Sequence, residues 1–334
     1  MQDLGITVII AAYNASMTIA EAVKSALAQR EVTEVIVVDD ASQDDTAKLA
    51  RAAADSDRRF DLIQFPTNQG PSAARNAAIK ATCGPYISIL DADDIFLPNR
   101  FTALLDVKDW DIIADNIVFF HTHEELSAYR EALFDSESPK NIIVNVGLKD
   151  FVEGNIPIRN RRRSELGFIK PIIRRSFLEQ HGLHYKEDCR LGEDFIIYTQ
   201  CLIKGARLKI SNNIGYAALI RDDSLSAGHR IEDLRTLMSY SQTLAKEDGL
   251  TPAQRGSIVN HSNSTLRRLR HREVLQTRRE RGLFNGILEG AKSPKVFLDI
   301  LNDKRSKQPN LRQTPRRLFE DTLLEKFRDK DLSA

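Results

Sequence analysis

The N-terminal part of the chain alternates short apolar runs with amphipathic helical patterns. The apolar runs are Ile6–Ala11, Val35–Val38, Leu62–Phe65 and Tyr86–Leu90. The helical patterns between them are Thr18–Gln29, Asp45–Ala54 and Pro71–Ala81. Continuous apolar runs are typical of strands buried on both faces, and their alternation with helices predicts right-handed βαβ units. We therefore expect an α/β fold: a doubly wound, mostly parallel sheet with helices on both faces.

The remainder of the chain is less regular. Its patterns predict strands at Trp110–Phe120 and Ile214–Ile220, short helices at Gly147–Gly154 and Arg174–His181, a helix from Leu191 to Gly205, and a last amphipathic helix at Arg316–Phe327. Beyond Ile231 the pattern is helical and increasingly rich in arginine. We expect one domain over residues 1–230, with halves at 1–100 and 101–230, followed by a helical, basic region at 231–334.

The net charge of +1 conceals an uneven distribution. From Thr251 onward the chain has 19 Lys and Arg against 10 Asp and Glu, a net +9, and the rest carries −8. Three interpretations of this basic tail remain open: it could bind an anionic lipid surface, form an oligomer contact such as a homodimer interface, or be a solvated helix face. We expect no nucleic-acid binding, because no recognition module accompanies the charge.

Polar and acidic residues follow each of the first four predicted strands. They are Ala12–Asn14, Asp39–Ser42, Asn68–Gly70 and Asp91–Asp94. In open parallel sheets the ligand crevice lies beyond the carboxyl ends of the strands. These loops should therefore meet at one edge and form a ligand site.

Asp91 and Asp93 alternate directly after the fourth predicted strand. Hard divalent cations prefer oxygen ligands and often combine few carboxylates with phosphate oxygens. An isolated pair of this kind is more often a turn that caps a helix. The convergence of the loops favours a metal site here.

Other motifs allow a functional and a structural interpretation. Asp39 and Asp40 could accept a hydrogen bond from a uracil imide or could cap the next helix, while Asp44 and Asp45 are expected to cap. Arg75 could bind an anion at the start of the helix that begins with Pro71. Proline is also common at the first position of a helix for purely structural reasons.

Candidate catalytic groups lie in the second half. Glu193–Asp194 offers the best general base for transfer to a hydroxyl, with a helix N-cap as the alternative. His229, after a polar loop, is a candidate metal ligand.

Several classes are disfavoured by absent motifs. The sequence contains no GxGxxG after the first strand, no phosphate-binding GxxxxGK[ST] loop and no GxSxG elbow. Its three cysteines lack disulfide or zinc spacing, and no secretion signal or run of about 20 apolar residues is present. We expect a cytoplasmic protein, with any membrane contact peripheral and on the cytoplasmic face of the inner membrane.

Five of these motifs, in this order, resemble the inverting family 2 glycosyltransferases with the GT-A fold. They are Val8–Asn14, Val37–Ser42, Asn68–Asn76, Asp91–Asp94 and Gly192–Phe195. The resemblance covers about residues 5–230. It implies a nucleotide-binding half over 1–100, an acceptor half over 101–230, a UDP-sugar donor and Mg²⁺ or Mn²⁺.

The resemblance also implies residue roles. Donor-binding positions would be Ala11, Tyr13, Asp39, Asp40, Asn68, Gly70, Arg75, Asp91 and Ala92. Asp93 would coordinate the metal with Asp91 beside it, and Asp194 would deprotonate the acceptor hydroxyl. A single displacement would then invert the anomeric centre.

Processive members of the family carry a QxxRW motif and membrane helices, whereas the only tryptophan here is Trp110. We expect transfer of one sugar per acceptor. The chain is also similar to exopolysaccharide glucosyltransferases of the succinoglycan type, which implies UDP-glucose and a glycan or polyprenyl-linked oligosaccharide acceptor. A sugar-nucleotide-forming nucleotidyltransferase and a non-catalytic nucleotide- or glycan-binding module are the alternatives.

Overall fold

The structure, a computed structural model, describes residues 5–135, 142–157, 166–220, 230–282, 285 and 315–331. Its strands are β1 (Ile6–Ala12), β2 (Val32–Asp39), β3 (Phe60–Gln64), β4 (Tyr86–Ile89), β5 (Ile95–Phe96), β6 (Ile112–Phe120), β7 (Ile143–Asn145), β8 (Ile172–Arg174), β9 (Leu208–Leu219) and β10 (Arg316–Arg317). Its helices are α1 (Ile19–Leu27), α2 (Thr46–Ala54), α3 (Pro71–Ala81), α4 (Arg100–Leu105), α5 (His123–Asp135), α6 (Leu148–Gly154), α7 (Arg175–Gln180), α8 (Glu193–Ile203), α9 (Ile231–Leu244), α10 (Pro252–Arg281) and α11 (Asp321–Asp331), with a 3-10 turn at Leu166–Phe168.

The strands form one sheet in the order β3-β2-β1-β4-β8-β6-β9-β5, with β10 beside β6 and β7 beside β9. The first four strands are parallel and almost fully buried in β1 and β4, as their continuous apolar runs predict. The α/β fold with a parallel N-terminal half of the sheet and a helical C-terminal region is confirmed.

The second half of the sheet is mixed. β8 runs antiparallel to both β4 and β6, while β6 and β9 are parallel. Ser88, near the end of β4, pairs with Ile172, the first residue of β8. Residues just before β8 therefore lie at the same sheet edge as residues just after β4.

The last helix begins later than the sequence pattern predicts. Arg316 and Arg317, expected to start a helix, instead form β10 against Phe119 and Val118 of β6. Phe319 is buried and its backbone bonds the side chain of Asn116 through both N and O. These contacts to the sheet outweigh the local helical pattern, so α11 starts only at Asp321.

The long C-terminal helices pack against the second half of the domain. α9 and α10 contact each other, α10 contacts α6, and α9 contacts α8. His261 of α10 stacks on Phe195 of α8 at 4.0 Å between ring centroids. α8 is therefore held in place by its packing against the C-terminal helices. The division of the chain at residue 230 stays a prediction.

Candidate active site

The nucleotide-side edge is formed where β1, β2 and β3 end together. Asp39, the last residue of β2, pairs with Ala12 of β1 and Gln64 of β3. Tyr13 follows β1, and half of its surface is exposed. The adjoining Asn14 has a left-handed backbone and accepts a hydrogen bond from the Gln43 amide at 2.8 Å. The edge therefore has the accessible ring of Tyr13 on a loop that a hydrogen bond from the Gln43 amide fixes in place.

Asp39 and Asp40 are both buried, and the structure gives them different partners. Asp40 accepts hydrogen bonds from the backbone amides of Gln69 at 2.7 Å and Gly70 at 2.8 Å. Gly70 has φ +91°, a conformation that favours glycine. Asp39 accepts from the Ser42 amide at 3.2 Å. Asp40 thus fixes the loop that starts α3, whereas Asp39 bonds within its own loop and to the Gln64 side chain at 3.5 Å.

Asn68 lies in the same loop. Its Nδ2 donates to the Asp40 carbonyl at 3.3 Å. Ala11, in β1, is partly buried against the core. These contacts make the loop after β3 part of the nucleotide-side edge, as its position in the sequence predicts.

The acidic run after β4 divides into residues with different surroundings. Asp94 is buried and accepts from the Tyr216 hydroxyl at 2.7 Å and the Leu219 amide at 2.9 Å. The same hydroxyl accepts from the Asp91 amide at 3.1 Å. Asp93 and Ala92 are partly exposed. Asp94 therefore holds the run against β9.

A closed ring of charges joins the two halves of the domain. Arg75 donates from Nη2 to Oδ1 of Asp91 at 3.0 Å and from Nη1 to Oδ1 of Asp194 at 3.3 Å. The Lys170 ammonium lies 2.9 Å from Oδ2 of Asp91 and 2.9 Å from Oδ2 of Asp194. Glu193 joins through a 2.9 Å bond from Arg75. Each aspartate thus has one oxygen on each cation.

Charge pairing inside the ring outweighs the cost of burial. Burial disfavours ionised Asp91, yet the charges of Lys170 and Arg75 lower its pKa to about 2. Burial likewise disfavours the Lys170 ammonium, but Asp194 and Asp91 raise its pKa above the usual value. Burial and the charge of Asp194 raise the pKa of Glu193. Asp91 and Lys170 are therefore both ionised at neutral pH.

A second buried ion pair, between Arg100 and Asp115, fixes the backbone at Lys170. The guanidinium of Arg100 donates to both carboxylate oxygens of Asp115, with 2.8 Å between Nη2 and Oδ1, and both side chains are essentially inaccessible. Nη2 also donates to the Lys170 carbonyl. Arg100 additionally lies over the ring of Phe96. The backbone at Lys170 is thus fixed by a bidentate pair in the core.

The structure brings Arg75 into direct contact with both Asp91 and Asp194, which lie 16 and 119 positions away in the sequence. Asp39, Asp40 and Asn68 instead lie at the ends of β2 and β3, where their hydrogen bonds stay within or between the two loops that follow these strands. His229 lies outside the described residues. Two groups were not predicted: Lys170 and Tyr216. The available signal for Lys170 was a lone cation inside the apolar segment Leu166–Ile173.

The acidic run fits a divalent cation that draws part of its ligands from a bound donor. The charges of Asp91 and Asp93, after burial, raise the pKa of Asp94, so negative charge accumulates here and a cation would offset it. Asp91 engages two cations, and the Asp93 side chain beside it is partly exposed. Within the described residues, no group of three or more His, Cys, Asp or Glu side chains could hold an ion alone. Diphosphate oxygens would therefore have to complete the coordination.

None of the helices in the described part of the chain is long and apolar enough to span a membrane.

Comparisons with known proteins show the family and the fold of the chain. The chain is 41% identical over 303 residues to the succinoglycan biosynthesis protein ExoU of Rhizobium meliloti (strain 1021), covering 90% of this chain and 87% of that protein. It is 30% identical over 151 residues to the Escherichia coli UDP-Glc:alpha-D-GlcNAc-diphosphoundecaprenol beta-1,3-glucosyltransferase WfgD, covering 45% and 57%.

A solved structure shares the fold. It is that of S. aureus TarS 1–349 in complex with UDP-GlcNAc, which aligns with a TM-score of 0.58 at 19% identity and covers 83% of this chain and 74% of that one. The Glycosyl transferase family 2 pattern matches residues 7–167, from β1 into the 3-10 turn. With the GT-A type sheet and a full-length relative well above 30% identity, the chain belongs to glycosyl transferase family 2.

Proposed function

We propose that this glycosyltransferase moves one sugar, glucose, from a UDP-sugar to a hydroxyl of a glycan or lipid-linked oligosaccharide in bacterial exopolysaccharide synthesis. The observation that carries the proposal is the ring in which Asp91, on the donor-side edge, and Asp194, at the start of α8, share Arg75 and Lys170. In this proposal Asp91 is the donor-side carboxylate and Asp194 the acceptor-side carboxylate, and the ring that joins them supports a single site. ExoU by its name acts in succinoglycan synthesis, and WfgD uses UDP-Glc with a diphosphoundecaprenol acceptor, which supports the donor and acceptor classes.

In this proposal Asp194 is the general base. Each of its oxygens accepts one hydrogen bond from a cation and retains a lone pair for the acceptor hydroxyl. As Asp194 takes the proton, the hydroxyl oxygen bonds to the anomeric carbon. The bond from that carbon to the phosphate oxygen breaks, and UDP leaves with the electron pair. One displacement inverts the anomeric configuration.

The donor would lie along the nucleotide-side edge. Tyr13 would stack on the base, and Asp39 would accept the uracil imide hydrogen. Hydrogen bonds between Asp40 and the loop that contains Asn68 and Gly70 shape this end, with Ala11 and Ala92 as neighbours in the chain. Arg75 and Asp91 would contact the ribose and diphosphate side. The half-exposed ring of Tyr13 and the fixed loop support this placement.

Asp93, with Asp91 beside it, would hold Mg²⁺ or Mn²⁺. When bound, the ion would act as a Lewis acid that stabilises the departing diphosphate. Asp93 supplies a partly exposed carboxylate for this purpose, while Asp94 stays bonded to Tyr216 and Leu219.

A panel of nucleotide sugars tests the proposal. Thermal stabilisation and release of UDP are measured with Mg²⁺ or Mn²⁺ for UDP-glucose, other UDP-sugars and GDP-mannose, with and without a lipid-linked oligosaccharide. We expect metal-dependent stabilisation by UDP-sugars and acceptor-dependent UDP release, greatest for UDP-glucose. UDP binding without release would instead indicate the non-catalytic module, and formation of a sugar nucleotide from UTP would indicate the nucleotidyltransferase.

The role of the metal is tested with the variant Asp93→Ala in the same thermal-stabilisation measurement. We expect this variant to lose the metal-dependent part of UDP-sugar stabilisation, because the partly exposed Asp93 carboxylate is the proposed metal ligand. Asp61→Ala, which removes an exposed carboxylate on β3, is the control and should keep it. Equal metal-dependent stabilisation in Asp93→Ala and wild type would contradict the assignment of Asp93.

We also propose that the basic end of α10 contacts an anionic membrane surface. The helix exposes arginines at 267, 270, 272, 278, 279 and 281, each worth about 1 kcal/mol near such a surface. We expect co-sedimentation with anionic vesicles at low salt, reduced at least about fivefold in Arg278→Gln/Arg279→Gln/Arg281→Gln but unchanged in the exposed control Arg51→Gln. Absence of vesicle binding at low salt would contradict this proposal.

A further inference from the structure

Lys170 is a buried cation in a site where the sequence indicates only acidic groups and Arg75. Its side chain is 8% exposed, and its ammonium lies 2.9 Å from Asp91 and 2.9 Å from Asp194. A lysine pays a large desolvation cost at such a position unless its charge is matched. The two carboxylates provide that match, so the position of Lys170 and the positions of the two aspartates depend on one another.

The ring geometry restricts how Asp194 can turn. Arg75 bonds Oδ1 and Lys170 bonds Oδ2, so rotation of the carboxylate would break a bond at one end or the other. Asp91 is held in the same manner by the same two cations. Removal of Lys170 would leave Arg75 as the ring's remaining cation for both aspartates and for Glu193.

The backbone at Lys170 is fixed as well. Its carbonyl accepts from Arg100, which is locked by Asp115, and β8 begins two residues later in register with β4. The ammonium is therefore delivered to the ring from a rigid part of the core. Rigid supporting residues are what a catalytic group needs in order to keep a productive geometry.

We propose that Lys170 is a positioning residue for the transfer reaction: with Arg75 it fixes Asp194 at the distance and orientation from Asp91 that proton removal from the acceptor requires. The inference rests on the proposed function. Without Lys170, Asp91 would keep a 3.0 Å bond to Arg75 and Asp194 only a 3.3 Å bond, so the loss of Lys170 should reduce kcat much more than it weakens UDP binding. A misplaced general base commonly costs about 100-fold in rate.

The experiment compares Lys170→Met, Lys170→Arg and wild type in acceptor-dependent UDP release and in UDP affinity by calorimetry. Lys170→Met should lower kcat at least about 100-fold, with the UDP Kd within about threefold of wild type. Lys170→Arg keeps the charge and should recover at least about tenfold over Lys170→Met. Lys204→Met, which removes an exposed lysine paired with Glu247 at 3.2 Å, is the matched control and should leave kcat unchanged.

The inference is overturned if Lys170→Met keeps kcat within about fivefold of wild type, or if its UDP affinity falls as much as its kcat. It is also overturned if Lys170→Arg is no better than Lys170→Met. Should Lys170→Met not unfold cooperatively, Lys170→Gln replaces it under the same criteria, since its amide can still donate one ring hydrogen bond. A wild-type protein that releases UDP from no nucleotide sugar contradicts the proposed function instead.

Discussion

At the scale of single residues, the buried cations of the site are matched by carboxylates. Arg75 and Lys170 each contact two or more carboxylates, and Arg100 bonds both oxygens of Asp115. Removing one partner of a buried pair commonly costs about 3–5 kcal/mol, because the other charge is left uncompensated. The site therefore has little freedom to rearrange without loss of stability.

A substitution at Gly215 tests how much stability is lost when the buried Arg100–Asp115 pair is disturbed. A methyl group built at Gly215 would overlap Oδ2 of Asp115 and the Cγ of Arg100. Gly215→Ala should lower the free energy of unfolding by about 3 kcal/mol, since the pair must shift or break. Urea unfolding measures this loss. The control is Gly147→Ala, where no atom lies within 4 Å of the added methyl; a loss as large there would contradict the explanation.

At the scale of elements, hydrogen bonds between loops fix the nucleotide-side edge. Asp44 links the loop after β2 to the loop after β1, accepting from the Ser16 amide at 3.1 Å and the Thr46 amide at 3.0 Å. Asp45 precedes α2 directly but makes no capping bond with its side chain. Of the two residues expected to cap, Asp44 makes the side-chain bonds to the start of α2.

Asp44 also gives a prediction about pH. Burial opposes its ionisation, but hydrogen bonds from Thr46 and Ser16 lower its pKa from 3.8 to about 2. Because the folded value is the lower one, its contribution is present above about pH 4 and is lost as the pH falls towards 2. Since Asp44 is exposed and screened, Asp44→Ala should cost about 1 kcal/mol near neutral pH.

Unfolding in urea at neutral pH and at about pH 3 measures both effects. The difference between wild type and Asp44→Ala should shrink at the lower pH. Asp45→Ala, its neighbour, should stay within about 0.5 kcal/mol of wild type at both. A pH-independent cost for Asp44→Ala would contradict the role given to its carboxylate.

Sequence patterns anticipated the parallel half of the sheet well and the mixed half poorly. β1, β2 and β4 are long apolar runs whose helices fix their direction, so Asp39, Asp40 and Asp91 were correctly placed at one edge. β8 has three residues, and its antiparallel pairing with β4 depends on contacts distant in the chain. Lys170 was missed because nothing local shows that the start of β8 meets the end of β4.

At the scale of the whole molecule, the site depends on both halves of the domain. Arg75 and Asp91 come from the parallel half, while Lys170 and Asp194 come from the mixed half. The tail returns to the sheet as well, since β10 pairs with β6 and Phe319 bonds Asn116. The pattern of Arg316–Phe327 could not reveal this, because the partner residues lie far away in the chain. Long-range contacts thus determine both the site and the end of the chain.

The central claim is that Asp194 is the base of a transfer reaction whose donor binds along the neighbouring strand ends. Its most direct test is one variant measured in two ways. Asp194→Asn keeps the shape of the side chain but cannot accept the acceptor's proton. UDP affinity by calorimetry should stay within about threefold of wild type, while acceptor-dependent UDP release should fall at least about 1000-fold. Release at the wild-type rate, or loss of UDP binding in parallel with activity, would contradict the claim.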